Sequence, residues 1–154
     1  MQHRPTAAID LDLEAQFCFA LYSTTLALGK IYAPILAALG LTYPQYLVML
    51  VLWREDGLTV RALGQQLHLN SGTLTPMLKR MEQAGLVRRG RDKKDERLVR
   101  TELTTAGRAL QAQAVHIPCA IAAATGVPME RLAQLKDGLE GIRQALEADE
   151  TAAA

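Results

Sequence analysis

The segment LNSGTLTPMLKRME, residues 69–82, decides the fold class of this chain. At about 100° per residue, its leucine and methionine side chains from Leu74 to Met81 fall within one arc of a helix and must be buried. Asn70, Ser71 or Thr73 can cap the N-terminus of this helix. A face of small polar residues and cations suits a recognition helix in the major groove of DNA. Here that face consists of Gly72, Thr73, Pro76, Lys79, Arg80 and Gln83.

The residues around this helix predict a winged helix-turn-helix. Residues 59–69 have the spacing of a short amphipathic helix that precedes the recognition helix. Residues 86–89 and 98–103 are two β-forming runs joined by a charged loop, which predicts a hairpin, the wing. An apolar helix over residues 44–54 supplies core, so the module is expected to cover residues 44–103.

Helical segments precede this module. A first helix is predicted from about residue 12 toward Gly29, with an apolar stripe along one side. Pro34 and Gly40 interrupt this region, which predicts a separate short helix ending near residue 39.

Further helices follow the module. A long helix is predicted from Thr104 or Thr105 to about residue 125, and a last helix over residues 128–148. The expected fold is therefore mainly α with a small β wing: a winged helix-turn-helix between helical segments 11–39 and 104–148 of one chain.

The charge distribution points to a polyanion. Residues 79–100 hold nine cations and four anions, a balance of +5, which leaves −4 for the remainder because the whole chain carries +1. Such concentration of one sign is typical of a nucleic-acid contact. Within the wing, Arg91, Lys93, Lys94 and Arg97 could enter a minor groove. Arg97 could instead form a structural ion pair with Asp95, and both interpretations can hold together.

Other classes of protein fit the composition less well. Residues 1–13 carry no run of the signal-peptide type, and the longest apolar run, residues 46–53, is far too short to span a bilayer. We therefore expect a cytoplasmic protein without a membrane partner. In that reducing compartment the two cysteines are not expected to form a permanent disulfide, so they are either inert or a redox pair.

Four segments together resemble the MarR family, and within it the organic hydroperoxide resistance regulator (OhrR) branch of two-cysteine type. They are 17-FCFALYS-23, 41-LTYPQYLVML-50, residues 69–82 and 95-DER-97. The resemblance covers about residues 11–125, with the last helix matching in type only, and Asn70 stands where this branch more usually has Asp.

The resemblance implies a transcription repressor, not an enzyme. It implies an obligate homodimer formed by the dimerisation helices 11–39 and 104–148, which binds an AT-rich palindromic operator in double-stranded DNA. One recognition helix would contact each half-site. The expected DNA contacts are Ser71, Gly72, Thr73, Thr75, Pro76, Lys79, Arg80, Arg91, Lys93, Lys94, Asp95 and Arg97.

The resemblance also implies a redox sensor. Cys18 would be the thiol that an organic hydroperoxide oxidises, and Tyr32 and Tyr43 of the partner subunit would hydrogen-bond its sulfur. Cys119 of the partner would then condense with the sulfenic acid to a disulfide, and the operator would be released. No cofactor or metal is expected.

Geometry limits where those phenols come from. No Lys, Arg or His lies near Cys18 in the sequence, so hydroxyl groups must stabilise a thiolate there. On one straight helix Cys18 and Tyr32 would be about 21 Å apart, at a rise of about 1.5 Å per residue. They could meet within one chain only if the helix folded back near Gly29, and contact across a two-fold axis is the simpler solution.

Four alternatives stay open. The cysteines could be small core residues, and a MarR-type repressor could be released by a non-covalent aromatic ligand. A thiol peroxidase is a third reading, although no Arg or Glu lies beside Cys18 to activate peroxide. A metal sensor is a fourth: His116 and Cys119 lie one helical turn apart, but no third ligand is evident, since His68 and His3 lie elsewhere.

Overall fold

The computed structural model describes residues 11–153, with side chains described for residues 11–149. His3 and most of the N-terminal segment without a signal-like run lie outside the described residues. The chain divides into two compact units, one ending at Ala112 and the other beginning at Gln113.

A single long helix opens the first unit. After a 3-10 turn at Leu13–Ala15, helix α1 runs without a break over Phe17–Ala37. The expected interruption near Gly29 and Pro34 was wrong. Pro34 lies only three residues before the end of the helix. It removes one backbone hydrogen bond, the one to the carbonyl of Lys30, and near the end of a helix this loss costs little stability.

Three helices and two strands build the module as predicted. They are α2 (Tyr43–Arg54), α3 (Val60–Leu67), α4 (Ser71–Gln83) and a hairpin of β2 (Val87–Arg91) and β3 (Val99–Leu103). The side chains that form its buried core are Leu36, Leu41, Tyr46, Val48, Met49, Leu52, Leu63, Leu74, Met77, Leu78, Met81, Val87 and Leu103. The leucines and methionines of the recognition helix are therefore buried, as its angular pattern predicts.

The sheet has a third strand that the sequence pattern did not reveal. Strand β1, Leu58–Thr59, pairs antiparallel with β3, so the sheet order is β1-β3-β2. Two residues are too few to show an alternating pattern. The strand fixes the wing to the segment between α2 and α3, because Leu58 lies opposite Thr101.

The helix predicted over residues 104–125 is two helices. Helix α5 covers Thr105–Ala114 and α6 covers Ile117–Thr125, with Pro118 in the first turn of α6, where its missing N–H costs nothing. Gly126 ends α6 in the left-handed conformation, and α7 covers Met129–Ala153. The expected separation of the last helix is confirmed, whereas the continuity of the helix before it was wrong.

Helix α1 is apolar and poorly covered. Its 18-residue window has a mean hydropathy of 1.2 and is only 6% buried, so by length and composition it could cross a membrane. The expectation that no segment is long enough rested on uninterrupted apolar runs and missed this helix. Its exposed large side chains are Phe17, Leu21, Tyr22, Leu26 and Ile31, and a solvent-exposed apolar face of this kind requires a partner surface.

Candidate nucleic-acid interface and redox site

The outer face of α4 is open. Asn70 caps the helix by accepting a hydrogen bond from the Thr73 amide at 2.9 Å. A side-chain amide oxygen satisfies the same orphan N–H that an Asp would. The sequence-predicted contacts on this helix are all exposed, namely Ser71, Gly72, Thr73, Thr75, Pro76, Lys79 and Arg80.

The tip of the wing presents Arg97. Its side chain is 91% exposed, and Asp95 Oδ1 accepts hydrogen bonds from both its Nε and its backbone amide at 3.1 Å. The ion pair and the outward position therefore coexist, because Asp95 orients the guanidinium without covering it. Arg91, Lys93 and Lys94 are exposed on the same hairpin.

Asp92 organises the wing where the loop begins, directly after the last residue of β2. Its carboxylate accepts hydrogen bonds from the amides of Lys94 at 2.7 Å and Asp95 at 3.0 Å, and pairs with the Arg100 guanidinium. Arg100 also donates to the carbonyl of Gly57 at 2.7 Å. The Arg100 hydrogen bond, helped by the two amides, lowers the pKa of Asp92 to about 2. Asp92 is therefore ionised at neutral pH and holds the wing to the start of β1.

Some cations of the basic cluster are paired internally. Arg88 pairs with Glu102, and Arg89 donates to Glu82 through both its backbone and its side chain. The amide of Arg89, followed by its side chain, lowers the pKa of Glu82. Within residues 11–149, the cations of the cluster without a carboxylate partner are Lys79, Arg80, Arg91, Lys93 and Lys94. The total of nine cations thus overstates those available to DNA, because Arg88, Arg89 and Arg100 are paired within the module. The pairing of Asp92 with Arg100 was not predicted from the sequence.

The two cysteines lie on different units. Cys18 is in the first turn of α1 and Cys119 is in α6, and both are free and exposed within the chain. Neither is thus a core residue of its own chain. In the part of the chain that the structure describes, no three potential ligands lie close enough to hold a metal ion.

Tyr32 and Tyr43 lie together. Their ring centroids are 4.6 Å apart and the planes are tilted by 49°. The ring centroid of Tyr46 lies 6.2 Å from that of Tyr32. Burial, followed by the neighbouring phenols Tyr43 and Tyr46, raises the pKa of Tyr32, so its hydroxyl keeps its proton at neutral pH and can donate a hydrogen bond.

Cys18 does not join this pair within one chain. It shares the unbroken α1 with Tyr32, and fourteen residues of helix separate them by about 21 Å. The fold-back that would allow contact inside one subunit does not occur. Tyr46 was not singled out from the sequence, although its spacing of three residues from Tyr43 places both on the same face of α2.

Comparisons with known proteins agree with this architecture. Residues 30–113 match the family described as transcriptional regulator SarA/Rot. The organic hydroperoxide resistance transcriptional regulator of Bacillus subtilis (strain 168) is 48% identical over 88% of this chain and 92% of its own length. The regulator TtmR of Methylorubrum extorquens (strain PA1) is 47% identical over 88% of this chain and 70% of its own length.

A solved neighbour is AbfR of Staphylococcus epidermidis. Its reduced form bound to DNA has a TM-score of 0.75 and 37% identity, covering 88% of this chain and 93% of that one. AbfR has also been solved overoxidised and bound to DNA, and in a disulfide form. The disulfide form has a lower TM-score to this chain, 0.60, over 88% of this chain and 90% of that one.

Proposed function

The chain belongs to the MarR-like family of winged-helix transcriptional regulators, and we propose that it is a cytoplasmic repressor that senses organic hydroperoxides through Cys18. Oxidation would lead to a disulfide with Cys119 of the partner subunit and to release of the operator. Support comes from the 48% identity to an organic hydroperoxide resistance regulator and from the likeness to AbfR, solved both with DNA and as a disulfide.

The repressor acts as a homodimer in this proposal. The apolar side chains of α1 lie uncovered on a chain whose relatives are transcriptional regulators, and a second copy is the partner that a palindromic operator requires. Each subunit would place α4 in the major groove of one AT-rich half-site and its wing in the adjacent minor groove. The two half-sites would be about 34 Å apart.

One observation carries the sensing proposal. The unbroken α1 keeps Cys18 about 21 Å from Tyr32 of the same chain. In each subunit the rings of Tyr32 and Tyr43 lie next to each other. In this proposal the thiolate of Cys18 takes its hydroxyl donors, Tyr32 and Tyr43, from the other subunit. Tyr22, one turn after Cys18 on its own helix, serves packing. Sensing is then a property of the dimer, because each site takes its sulfur from one chain and its phenols from the other.

The two oxidation steps need no oxidant other than the hydroperoxide. The Cys18 thiolate attacks the terminal peroxide oxygen, the O–O bond breaks, and the alcohol leaves with a proton from solvent; the sulfur becomes a sulfenic acid. The thiol of Cys119 of the partner subunit then attacks that sulfur, forming the disulfide and releasing water. Cellular thiols can later reduce the bond.

Release is assigned to the disulfide and not to oxidation of Cys18 alone. AbfR is bound to DNA in both its reduced and its overoxidised form. By analogy, adding oxygen to Cys18 would leave the recognition helices in register with the operator. The disulfide ties α1 of one subunit to α6 of the other, which can alter the half-site spacing.

The test is an electrophoretic mobility shift on an operator selected in vitro with reduced protein. Wild type, Cys18→Ser and Cys119→Ser are compared with and without cumene hydroperoxide, and a non-reducing gel follows covalent dimers. We expect wild type to release DNA as covalent dimers form, and both variants to stay bound, with Cys18 still oxidised in Cys119→Ser. Peroxide-driven release of Cys18→Ser would refute the sensor. Its full release by a phenolic acid without oxidant would identify the non-covalent alternative.

A further inference from the structure

Four aromatic rings form a row that begins with the phenol pair, Tyr32 and Tyr43. Tyr43, Tyr32, Tyr46 and Trp53 follow one another at centroid separations of 4.6, 6.2 and 6.4 Å. Three of the four rings lie on α2, at its first, fourth and eleventh residues, and Tyr32 of α1 lies between the first two. Tyr46 is only 2% exposed whereas Tyr43 is 42% exposed, so the row runs from the surface into the core of the module.

The row ends on a hydrogen bond to α5. Trp53 Nε1 donates to the carbonyl of Gly107 at 3.0 Å. This carbonyl belongs to the third residue of α5 and comes from a position 54 residues further along the chain. The bond therefore joins the C-terminal end of α2 to the helix that follows the wing.

Two further contacts fix the position of Gly107. Its amide donates to Thr104 Oγ1 at 3.0 Å. A Cβ at this position would overlap the carbonyl oxygen of Leu86, so only glycine allows α5 to approach so closely. Thr104 Oγ1 in turn donates to the carbonyl of Gly85 at 2.6 Å. Gly85 and Leu86 are the last two of the three residues between the recognition helix α4 and strand β2, so a displacement of Gly107 would alter the contact between α4 and the wing.

We propose that Trp53 is a positioning residue that couples the phenol pair to the DNA-binding surface through Gly107. The inference rests on the proposed function, because it assigns how a change at the thiol site would reach α4 and the wing. When the sulfur leaves Tyr32 and Tyr43 to form the disulfide, the rings repack, and the packed helix α2 transmits the change to Trp53. A close-packed interior transmits such a shift because it has little free volume to absorb it.

The test compares the dissociation constant for operator DNA in the reduced and disulfide states. In Trp53→Phe an aromatic ring remains but the indole N–H donor is lost. We expect reduced Trp53→Phe to bind DNA as wild type does and to form the disulfide equally fast, while the ratio of the two constants falls by about tenfold or more. Arg54→Lys is the matched control, since the neighbouring Arg54 contacts Gln66 of α3 instead, and it should keep the wild-type ratio.

The outcomes separate the two proposals. Weaker binding in both states with an unchanged ratio would assign Trp53 a structural role only and overturn the coupling. A wild-type ratio of one after complete disulfide formation would overturn the proposed function and the coupling with it. If Trp53→Phe does not fold, wild-type fluorescence decides, because Trp53 is the only tryptophan of the chain. Its emission should change on disulfide formation, and an unchanged spectrum would overturn the coupling.

Discussion

Tyr32 and Tyr43 bring their rings to 4.6 Å within one chain although they belong to different helices. Their hydroxyl groups are thus placed by packing between α1 and α2 and not by the cysteine they are proposed to serve. The two rings are in contact within a single chain, without the Cys18 sulfur of a partner, so the hydroxyl donors are preorganised.

Removal of either hydroxyl should slow oxidation. Tyr32→Phe and Tyr43→Phe keep the contact between the two rings but lose one donor to the thiolate, and such a bond to a charged group contributes about 1.5–3 kcal/mol. We expect the rate of Cys18 oxidation by cumene hydroperoxide to fall by about tenfold to a hundredfold, with DNA binding of the reduced protein unchanged. Loss of maleimide-reactive Cys18 with time measures it. Tyr46→Phe is the control, and an equal effect there would remove the special role of the pair.

The wing contact should depend on Arg97. Because this side chain is almost fully exposed and oriented by Asp95, Arg97→Ala should weaken operator binding. It should also reduce the slope of log K against log salt by about one per subunit. Titrations at four salt concentrations measure both. Arg88→Ala, which removes a cation already paired with Glu102 at the far end of the hairpin, should change the slope less. Equal slopes for the two variants would count against a wing contact.

The order of the wing should depend on pH through Asp92. Its folded pKa of about 2 lies below the ordinary 3.8, so its stabilisation is complete above about pH 4 and is lost as the pH falls through about 2. The amide resonances of Lys94 and Asp95, which donate to this carboxylate, should titrate with a midpoint near that value. Asp92→Asn should abolish this titration and weaken operator binding at neutral pH. A midpoint near 4 would show that Arg100 does not hold the carboxylate in solution.

The packing of α3 against the turn that follows it should depend on Gly64. A Cβ on Gly64 would lie 2.5 Å from the carbonyl oxygen of Leu69, so Gly64→Ala must shift the turn that sets the angle of the recognition helix. We expect a loss of about 1–3 kcal/mol in the free energy of unfolding, measured by urea denaturation. The exposed neighbour Gln65→Ala should stay within about 0.5 kcal/mol of wild type. Equal stability of both variants would contradict the close approach.

The recognition helix could be predicted from residues close to one another in the sequence. The period of Leu74, Met77, Leu78 and Met81 determines which face is buried, and Asn70 needs only its own side chain to cap the helix. The wing followed from two β-forming runs on either side of a charged loop. These features depend on residues close in sequence, so a single chain shows them.

Long-range contacts could not be predicted in the same way. Gly29 and Pro34 do not interrupt α1, since one glycine inside a helix costs only about 1 kcal/mol relative to alanine and Pro34 lies in the last turn of the helix. Strand β1 exists only because β3 pairs with it, and the Trp53 bond to Gly107 joins positions 54 residues apart. At the redox site, the sequence indicated the cysteine and tyrosine residues, but it did not show which of the tyrosine rings contact one another.

The uninterrupted α1 has a genetic consequence. If sulfur and phenols come from opposite chains, a Cys18→Ser subunit paired with a Tyr32→Phe, Tyr43→Phe subunit forms a heterodimer with one intact site and one dead one. Two alleles that are each insensitive to peroxide would then complement each other when co-expressed. Complementation between them would occur in no regulator whose sensor lies within a single polypeptide.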